Sequence, residues 1–340
     1  MTVPKLPPEL ILSIVDCIRP AAVALPPSDI TARTIRSLTL VSRLTYSRAL
    51  RRLYSHCLWI DSAERLGRLL LTLHALLDPS RHQISTLPKV DVLPCLQSLF
   101  LSPFPRDTID DWPTAQWTFE LLSLMRQTLV RLVIDIPLRS LYPAEDHLSV
   151  RPKLRAAFEQ LQNLEEFTST RDELFLGTHE PGSLLALRQP PVWRAWSNLR
   201  RLALYNESHD SSDFYDSLHK LPHLECIALT RAEWPAAVAI WPRFAAKAQQ
   251  HHLKVLSLDV EDGSWTITGC IDSPHWPRAL QSVKASLGRE LEICPIEIPL
   301  PFYCKPGDAT DLCQQWVRDR AITGDLWHLT APIPFLCTSD

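Results

Sequence analysis

Glycine is scarce in this chain, which has 8 glycines among 340 residues, whereas average usage is about 7%. Loops that bind phosphate groups use glycines to bring the backbone close to the ligand, and neither G-x-G-x-x-G nor G-x-x-x-x-G-K-[ST] occurs in the sequence. The composition therefore argues against nucleotide-dependent chemistry, and we expect no cofactor. Proline is abundant instead, with 29 residues, which is typical of a chain divided by many short turns and helix starts.

The sequence also lacks the features of secreted and membrane proteins. No uninterrupted apolar run approaches roughly eighteen residues, and the N-terminus has no charged-then-apolar signal pattern. The nine cysteines are scattered and odd in number, so we expect free thiols and not a disulfide framework. A net charge of −3 gives no electrostatic reason to expect nucleic acid or an anionic membrane as a partner. We predict a nuclear or cytoplasmic protein.

Catalytic and metal-binding motifs are missing as well. The sequence contains no G-x-S-x-G, no H-E-x-x-H, no pair of C-x-x-C motifs and no D-x-D-x-D-G calcium loop. His219 and His223 are four residues apart, but Pro222 between them disrupts a helical metal-binding face, so turn or surface histidines are the better interpretation. We predict a protein that is not an enzyme and that has no catalytic, cofactor-binding or metal-binding residues.

The first fifty-odd residues read as three short helices. Apolar residues from Leu10 to Ile18 recur at intervals of three and four, and Pro7 or Pro8 suits the first turn of a helix that carries them. Ser28 or Asp29 can cap a second helix, and a third is expected from about residue 44 to residue 54. Three such helices barely fill a core of their own, so part of their apolar surface should need a partner or the following domain.

The order of residues in these helices carries a family resemblance. Leu6-Pro7-x-Glu9-Leu10, then Ile14, then Leu38-x-Leu40-Val41-Ser42-Arg43 resembles the F-box of many fungal proteins. This resemblance implies docking to the small adaptor of a cullin-based ubiquitin ligase. Carried over residue by residue, it predicts these adaptor-binding positions: Leu6, Pro7, Leu10, Ile14, Leu38, Val41 and Arg43. The alternative is that the same residues form the core of an N-terminal helical cap.

A second pattern, Leu-x-x-Leu-x-Leu or a close variant, recurs through the rest of the chain. It begins at these positions, with Leu164 weaker and Leu280 only possible: Leu96, Leu129, Leu164, Leu199, Leu224, Leu253 and Leu280. Segments with helical spacing lie between many of the motifs, so strand, loop and helix should alternate. A short strand cannot bury its inward leucines alone, whereas stacked units share a continuous core. The pattern resembles a leucine-rich-repeat solenoid.

These patterns lead to one predicted fold class with one alternative. We predict an α/β chain with a small N-terminal three-helix F-box-like bundle, followed by an irregular leucine-rich-repeat-like solenoid with a C-terminal cap. The predicted domains are residues 1–55, residues 56–289 and a proline-rich cap at residues 290–340. The alternative is an ordinary α/β domain with a parallel sheet.

The predicted function follows from the two resemblances together. Outward-facing positions of stacked strands would form a concave face for a protein target, and we predict these target-binding residues: Phe100, Arg131, Glu166, Arg201, Tyr205 and Ser257. The chain would then be the substrate-recognition subunit of a cullin-based ubiquitin ligase, with the cullin adaptor and an unidentified protein target as partners. The alternative is a non-catalytic scaffold for protein–protein interaction that does not engage a ubiquitin ligase.

Overall fold

A computed structural model of the chain describes ten stretches of residues. They are residues 6–18, 24–77, 88, 90–180, 189–207, 212–231, 241–248, 252–259, 291–300 and 308–330. The chain divides into two compact units, Met1–Leu164 and Glu165–Asp340. The sequence predicted three domains. The division into two compact units does not test the boundaries of those domains, so they remain a prediction.

The first unit begins with three helices, α1 (Pro8–Cys17), α2 (Ile30–Val41) and α3 (Arg43–His56). Asp29 caps α2, because its carboxylate accepts hydrogen bonds from the backbone N–H groups of Thr31 at 2.6 Å and Ala32 at 3.2 Å. In these helices the buried residues are Val15, Ala32, Ile35, Thr45, Ala49 and Tyr54. The small number of buried side chains agrees with the expectation that this region barely fills its own core.

Three parallel strands complete the first unit together with further helices. Strands β1 (Trp59–Ile60), β2 (Ser98–Leu101) and β3 (Arg131–Ile134) pair in chain order. Helices α4 (Ala63–Leu77), α5 (Trp112–Met125) and α6 (Val150–Glu159) each follow one strand. Short 3₁₀ helices lie at Leu93–Cys95, Leu138–Ser140 and Pro143–Glu145.

The second unit contains five parallel strands, which also pair in chain order. They are β4 (Glu166–Ser169), β5 (Arg201–Tyr205), β6 (Cys226–Thr230), β7 (Leu253–Asp259) and β8 (Leu291–Glu297). Helices α7 (Ser212–His219), α8 (Trp241–Ala248) and α9 (Ala309–Thr323) accompany them, with 3₁₀ helices at Val192–Ala195 and Asp325–His328. An aromatic cluster of Trp193, Phe214, Tyr215 and Phe244 packs edge to face in the core.

The burial of the strands overturns the predicted fold class. Every residue of β2, β4 and β6 is buried. Successive strand residues point to opposite faces, so both faces of these strands are covered, as is typical of parallel sheets flanked by helices. An F-box-like bundle followed by a leucine-rich-repeat-like solenoid is therefore the wrong fold class. The described residues have an α/β layout of parallel strands and flanking helices, which was the alternative.

The strand register adds a second correction. The repeat pattern aligns Ile227 of β6 with Leu256 of β7, but Ile227 pairs with Val255. A shift of one residue moves every side chain of a strand to the other face. Ser257, which was predicted to face outward, therefore shares the face of its pairing partner Leu229. The possible motif at Leu280 lies outside the described residues, and the next described strand, β8, begins at Leu291.

Candidate protein-docking surface

The N-terminal helices expose apolar side chains in two places. The first, called the α1 cluster, consists of Leu6, Leu10 and Ile14, which are each more than half exposed. Leu10 and Ile14 are four residues apart and lie on one side of α1, and Leu6 stands just before the helix, whereas Val15 turns into the core with 1% exposure. The described helices thus use only part of the α1 apolar stripe for their own packing.

The second place is the junction between α2 and α3, called the junction cluster. Leu40 is 85% exposed and Val41 67% exposed, and Leu44 in the first turn of α3 is also exposed. Large apolar side chains that are exposed next to one another are unusual on the surface of a monomer. Such groups often mark a contact with another protein. Both clusters therefore form the candidate docking surface.

A hydrogen-bonded turn holds the junction cluster in place. Ser42 has an extended backbone, with φ −161° and ψ 162°, so α2 ends and α3 begins without an intervening loop. The Ser42 hydroxyl accepts a hydrogen bond from the backbone N–H of Thr45 at 3.2 Å, which caps α3. The buried Thr45 hydroxyl donates to the carbonyl of Leu38 at 2.8 Å and so ties the two helices together. A surface ordered in advance loses less entropy when a partner binds.

Most of the predicted adaptor-binding residues lie at the surface. Leu6, Pro7, Leu10, Ile14, Val41 and Arg43 are exposed, whereas Leu38 is half-buried. Exposure of Leu6, Pro7 and Val41 is the feature that separates a docking module from a covered cap, and all three are exposed. Sequence reasoning missed Leu40 and Leu44 as members of the surface, although Leu40 stands inside the quoted motif and could have been included.

Electrostatic contacts join α1 to α3 beside this surface. Arg48 forms an ion pair with Asp16 at 3.1 Å, and Arg52 approaches the same carboxylate at 3.5 Å.

At the end of α3, burial lowers the pKa of His56 to about 4, and the positive charges of Arg131 and Arg52 act in the same direction. His56 is therefore neutral at physiological pH.

The predicted target-binding residues lie mostly in the interior. Phe100 is buried and stacks on Trp59 with ring centroids 4.0 Å apart. Glu166 is also buried and pairs with the half-exposed Arg201 at 3.2 Å. Tyr205 and Ser257 are buried too, and Arg131 is half-exposed. In this conformation a partner can therefore reach only parts of Arg131 and Arg201 among the six residues.

An open groove of about 580 Å³ lies in the second unit, where the chain enters strands β4 to β7. Its lining consists of Glu165, Asn198, Arg200, Pro222, His223, Glu225 and His252. The Arg200 guanidinium donates two hydrogen bonds to one Glu225 oxygen, at 2.6 and 3.0 Å, so these two charges largely satisfy each other. Within the described stretches no group of three or more His, Cys, Asp and Glu residues is arranged to bind a metal ion. We assign no chemistry to this groove.

Comparisons with known proteins provide no further assignment. No protein-family model matches the chain, and no curated protein matches it. Among the described helices, none combines the length and apolar character that crossing a membrane requires. The docking surface and the F-box-like motif in its sequence are therefore the features of the chain that bear on its function.

Proposed function

We propose that this protein is the substrate-recognition subunit of a cullin-based ubiquitin ligase and that it binds the cullin adaptor through the α1 cluster and the junction cluster. The observation that carries the proposal is the exposure of Leu6, Pro7 and Val41, three positions of the F-box-like motif. In such a subunit, ubiquitin transfer occurs on other subunits and this chain contributes by holding a target close to them. The proposal includes a nuclear or cytoplasmic location.

The energetics of the docking surface suit a specific protein contact. Complete burial of one leucine, isoleucine or valine side chain contributes about 1.5–3 kcal/mol. The six side chains of the two clusters are already part-covered, so docking recovers only a fraction of that amount for each. Summed over the six side chains, the recovered free energy is still comparable to the roughly 4–15 kcal/mol that association costs in lost translational and rotational freedom. Removing several of them should therefore weaken binding strongly.

Equilibrium binding of the full chain to the purified cullin adaptor tests the proposal. We compare wild type with a Leu6→Ala, Pro7→Ala, Val41→Ala variant, and we expect binding by wild type and at least a hundredfold weaker binding by the variant, about 3 kcal/mol. Leu71→Ala is the matched control, because Leu71 is 73% exposed on α4 but belongs to neither cluster. Circular dichroism confirms that each variant keeps its fold.

Two results contradict the proposal. One is a well-folded wild-type chain that does not bind the adaptor, and the other is a loss of binding that is equal for the triple variant and for Leu71→Ala. Either result leaves the non-catalytic scaffold as the better proposal.

A further inference from the structure

Helices α2 and α3 form a positively charged segment of a negatively charged chain. Residues 24–56 contain six arginines against one aspartate, and no lysine or glutamate, which gives a net charge of +5. The whole chain has a net charge of −3, so all the other residues together carry −8. Such an uneven charge distribution produces a local field that acts on the association with partners and not on the fold.

Two arginines of this segment, Arg33 and Arg36, are exposed and have no partner within the described part of the chain. Arg48 and Arg52 approach Asp16, whereas no hydrogen bond or ion pair joins the guanidinium of Arg33 or Arg36 to any residue that the structure describes. Like charges three residues apart on a helix repel each other, and Arg33 lies near the N-terminal end of α2, where the helix dipole is positive. As charges, therefore, neither side chain stabilises α2, and a role in binding explains them better.

The two arginines lie among large apolar side chains on the outer side of α2. Ile30, Arg33 and Leu40 are spaced by three and seven residues, which puts them on one side of the helix, and Arg36 lies beside them. Ile35 turns into the core from the opposite side with 1% exposure, whereas Ile30 is 71% exposed. We call Ile30, Arg33, Arg36 and Leu40 the α2 row. It is about 15 Å long, and basic and apolar side chains alternate along it.

A protein surface that carries carboxylates between apolar contacts matches the α2 row. The planar guanidinium of arginine binds a carboxylate with two parallel hydrogen bonds, and apolar neighbours exclude water from such a pair. Nucleic acid would offer its phosphates to the arginines but little to Ile30 and Leu40. A helix that binds a lipid surface needs a continuous apolar face, and α2 turns its apolar face into the core instead.

We propose that the partner of the docking surface is acidic where it contacts α2, with carboxylates that bind Arg33 and Arg36 and apolar groups that cover Ile30 and Leu40. In the proposed function this partner is the cullin adaptor, and to that extent the inference rests on the proposed function. It extends the docking surface to Ile30, Arg33 and Arg36, none of which was among the adaptor-binding residues predicted from the motif. Charges at the rim of an interface act mainly on the association rate and on its salt dependence.

The association rate of the purified cullin adaptor with the full chain tests the inference. We measure it at ionic strengths of about 0.01 M and about 1 M, where the Debye length is about 30 Å and about 3 Å. At the lower ionic strength, Arg33→Gln, Arg36→Gln should associate roughly tenfold more slowly than wild type, and at the higher one the two rates should converge. Arg33→Lys, Arg36→Lys keeps both charges and should retain most of the wild-type rate.

The matched control is Arg126→Gln, Arg194→Gln, which changes the net charge by the same amount. Both arginines are exposed, lie outside the N-terminal helices and have no partner in the described stretches. The control should associate within about twofold of wild type, because a distant charge contributes little to a local field. Equal rates for wild type and Arg33→Gln, Arg36→Gln at low ionic strength overturn the inference, and so does an equal loss in the control. Circular dichroism confirms that each variant is folded.

A second probe decides the inference if the adaptor does not bind at all. It is a fluorescent random copolymer of glutamate and tyrosine, added to the full chain at about 0.01 M ionic strength. The copolymer should slow hydrogen exchange in peptides covering residues 30–45 of wild type but not of Arg33→Gln, Arg36→Gln. No protection of wild type, equal protection of both proteins, or stronger protection by single-stranded RNA or phosphatidylserine vesicles overturns the inference. Copolymer binding without adaptor binding refutes the proposed function alone, whereas adaptor binding that ignores the two arginines refutes this inference alone.

Discussion

The turn between α2 and α3 offers a sharp test of how the junction cluster is held. Thr45→Val replaces the buried hydroxyl by a methyl group of nearly the same shape. It removes the bond to the Leu38 carbonyl at 2.8 Å and leaves that carbonyl without this donor. Loss of such a bond should lower the free energy of local opening by about 1–1.5 kcal/mol. Ser42→Ala removes the α3 cap and should cost about 1 kcal/mol.

Hydrogen exchange measured by mass spectrometry is the suitable assay, because it reports on this region separately from the rest of a two-unit chain. Peptides that cover residues 30–56 should exchange about five- to tenfold faster in each variant. The double variant should show less than the sum of the two effects, since the two hydroxyls also contact each other at 3.1 Å. Thr34→Val is the matched control, because its exposed hydroxyl bonds only within α2, to the Ile30 carbonyl.

Unchanged exchange in Thr45→Val would refute the reasoning. So would equal acceleration in Thr45→Val and Thr34→Val, because the effect would then come from the loss of any threonine hydroxyl. In either case the exposure of Leu40 and Val41 would not depend on the hydrogen-bonded turn.

Two further predictions concern stability. His56 has a pKa of about 4 in the folded chain, against an ordinary value of 6.5. As the pH falls, the unfolded state therefore binds a proton before the folded state does. The free energy of unfolding should decrease between pH 6.5 and pH 4. The loss should be about 2 kcal/mol, allowing for partial exposure, and urea unfolding of His56→Gln should not show this component; an identical pH dependence in both proteins contradicts the assignment. Gly67 lies inside α4, and an added methyl group would meet the Trp117 ring at an ordinary 3.6 Å. Gly67→Ala should therefore raise the free energy of unfolding by about 0.5–1 kcal/mol, and a lower melting temperature would contradict this.

Local features of the fold could be read from the sequence because their causes are local. Asp29 was one of two predicted caps for α2, and its carboxylate accepts two backbone hydrogen bonds there. The sequence from about Asp308 to Ile322 has the character of a helix, and the structure has a helix from Ala309 to Thr323. It ends at Gly324, whose φ of 83° lies in the left-handed region that favours glycine. Capping and backbone geometry depend on neighbours in sequence, so these signals are visible without the structure.

The arrangement of the strands could not be read in the same way. The leucine motifs located β2, β3, β5 and β6, but the motif does not specify what covers the second face of a strand. Contacts such as that of Lys254 with Leu329 join residues 75 positions apart and have no local signature. The one-residue register shift at β7 likewise depends on pairing with β6 and not on the β7 sequence alone. An open solenoid face was therefore predicted where a covered sheet exists.

The candidate docking surface could likewise be predicted only in part. The motif selected Leu6, Leu10 and Ile14, and helical spacing put Leu10 and Ile14 on one side of α1, but the spacing could not decide whether that side faces the core or the solvent. The target-binding residues were predicted on the assumption of an open solenoid face. The structure has no such face at Phe100 and Ser257, which are buried. Exposure depends on long-range packing, which the sequence pattern does not contain.

The most direct test of the central claim is the hydrogen-exchange footprint of the purified cullin adaptor on the full chain. If the N-terminal helices are a docking module, saturating adaptor should slow exchange in peptides covering residues 6–18 and 38–45 and leave strands β4 to β7 unchanged. The account is contradicted if the adaptor protects neither peptide, or if its footprint lies only in the second unit.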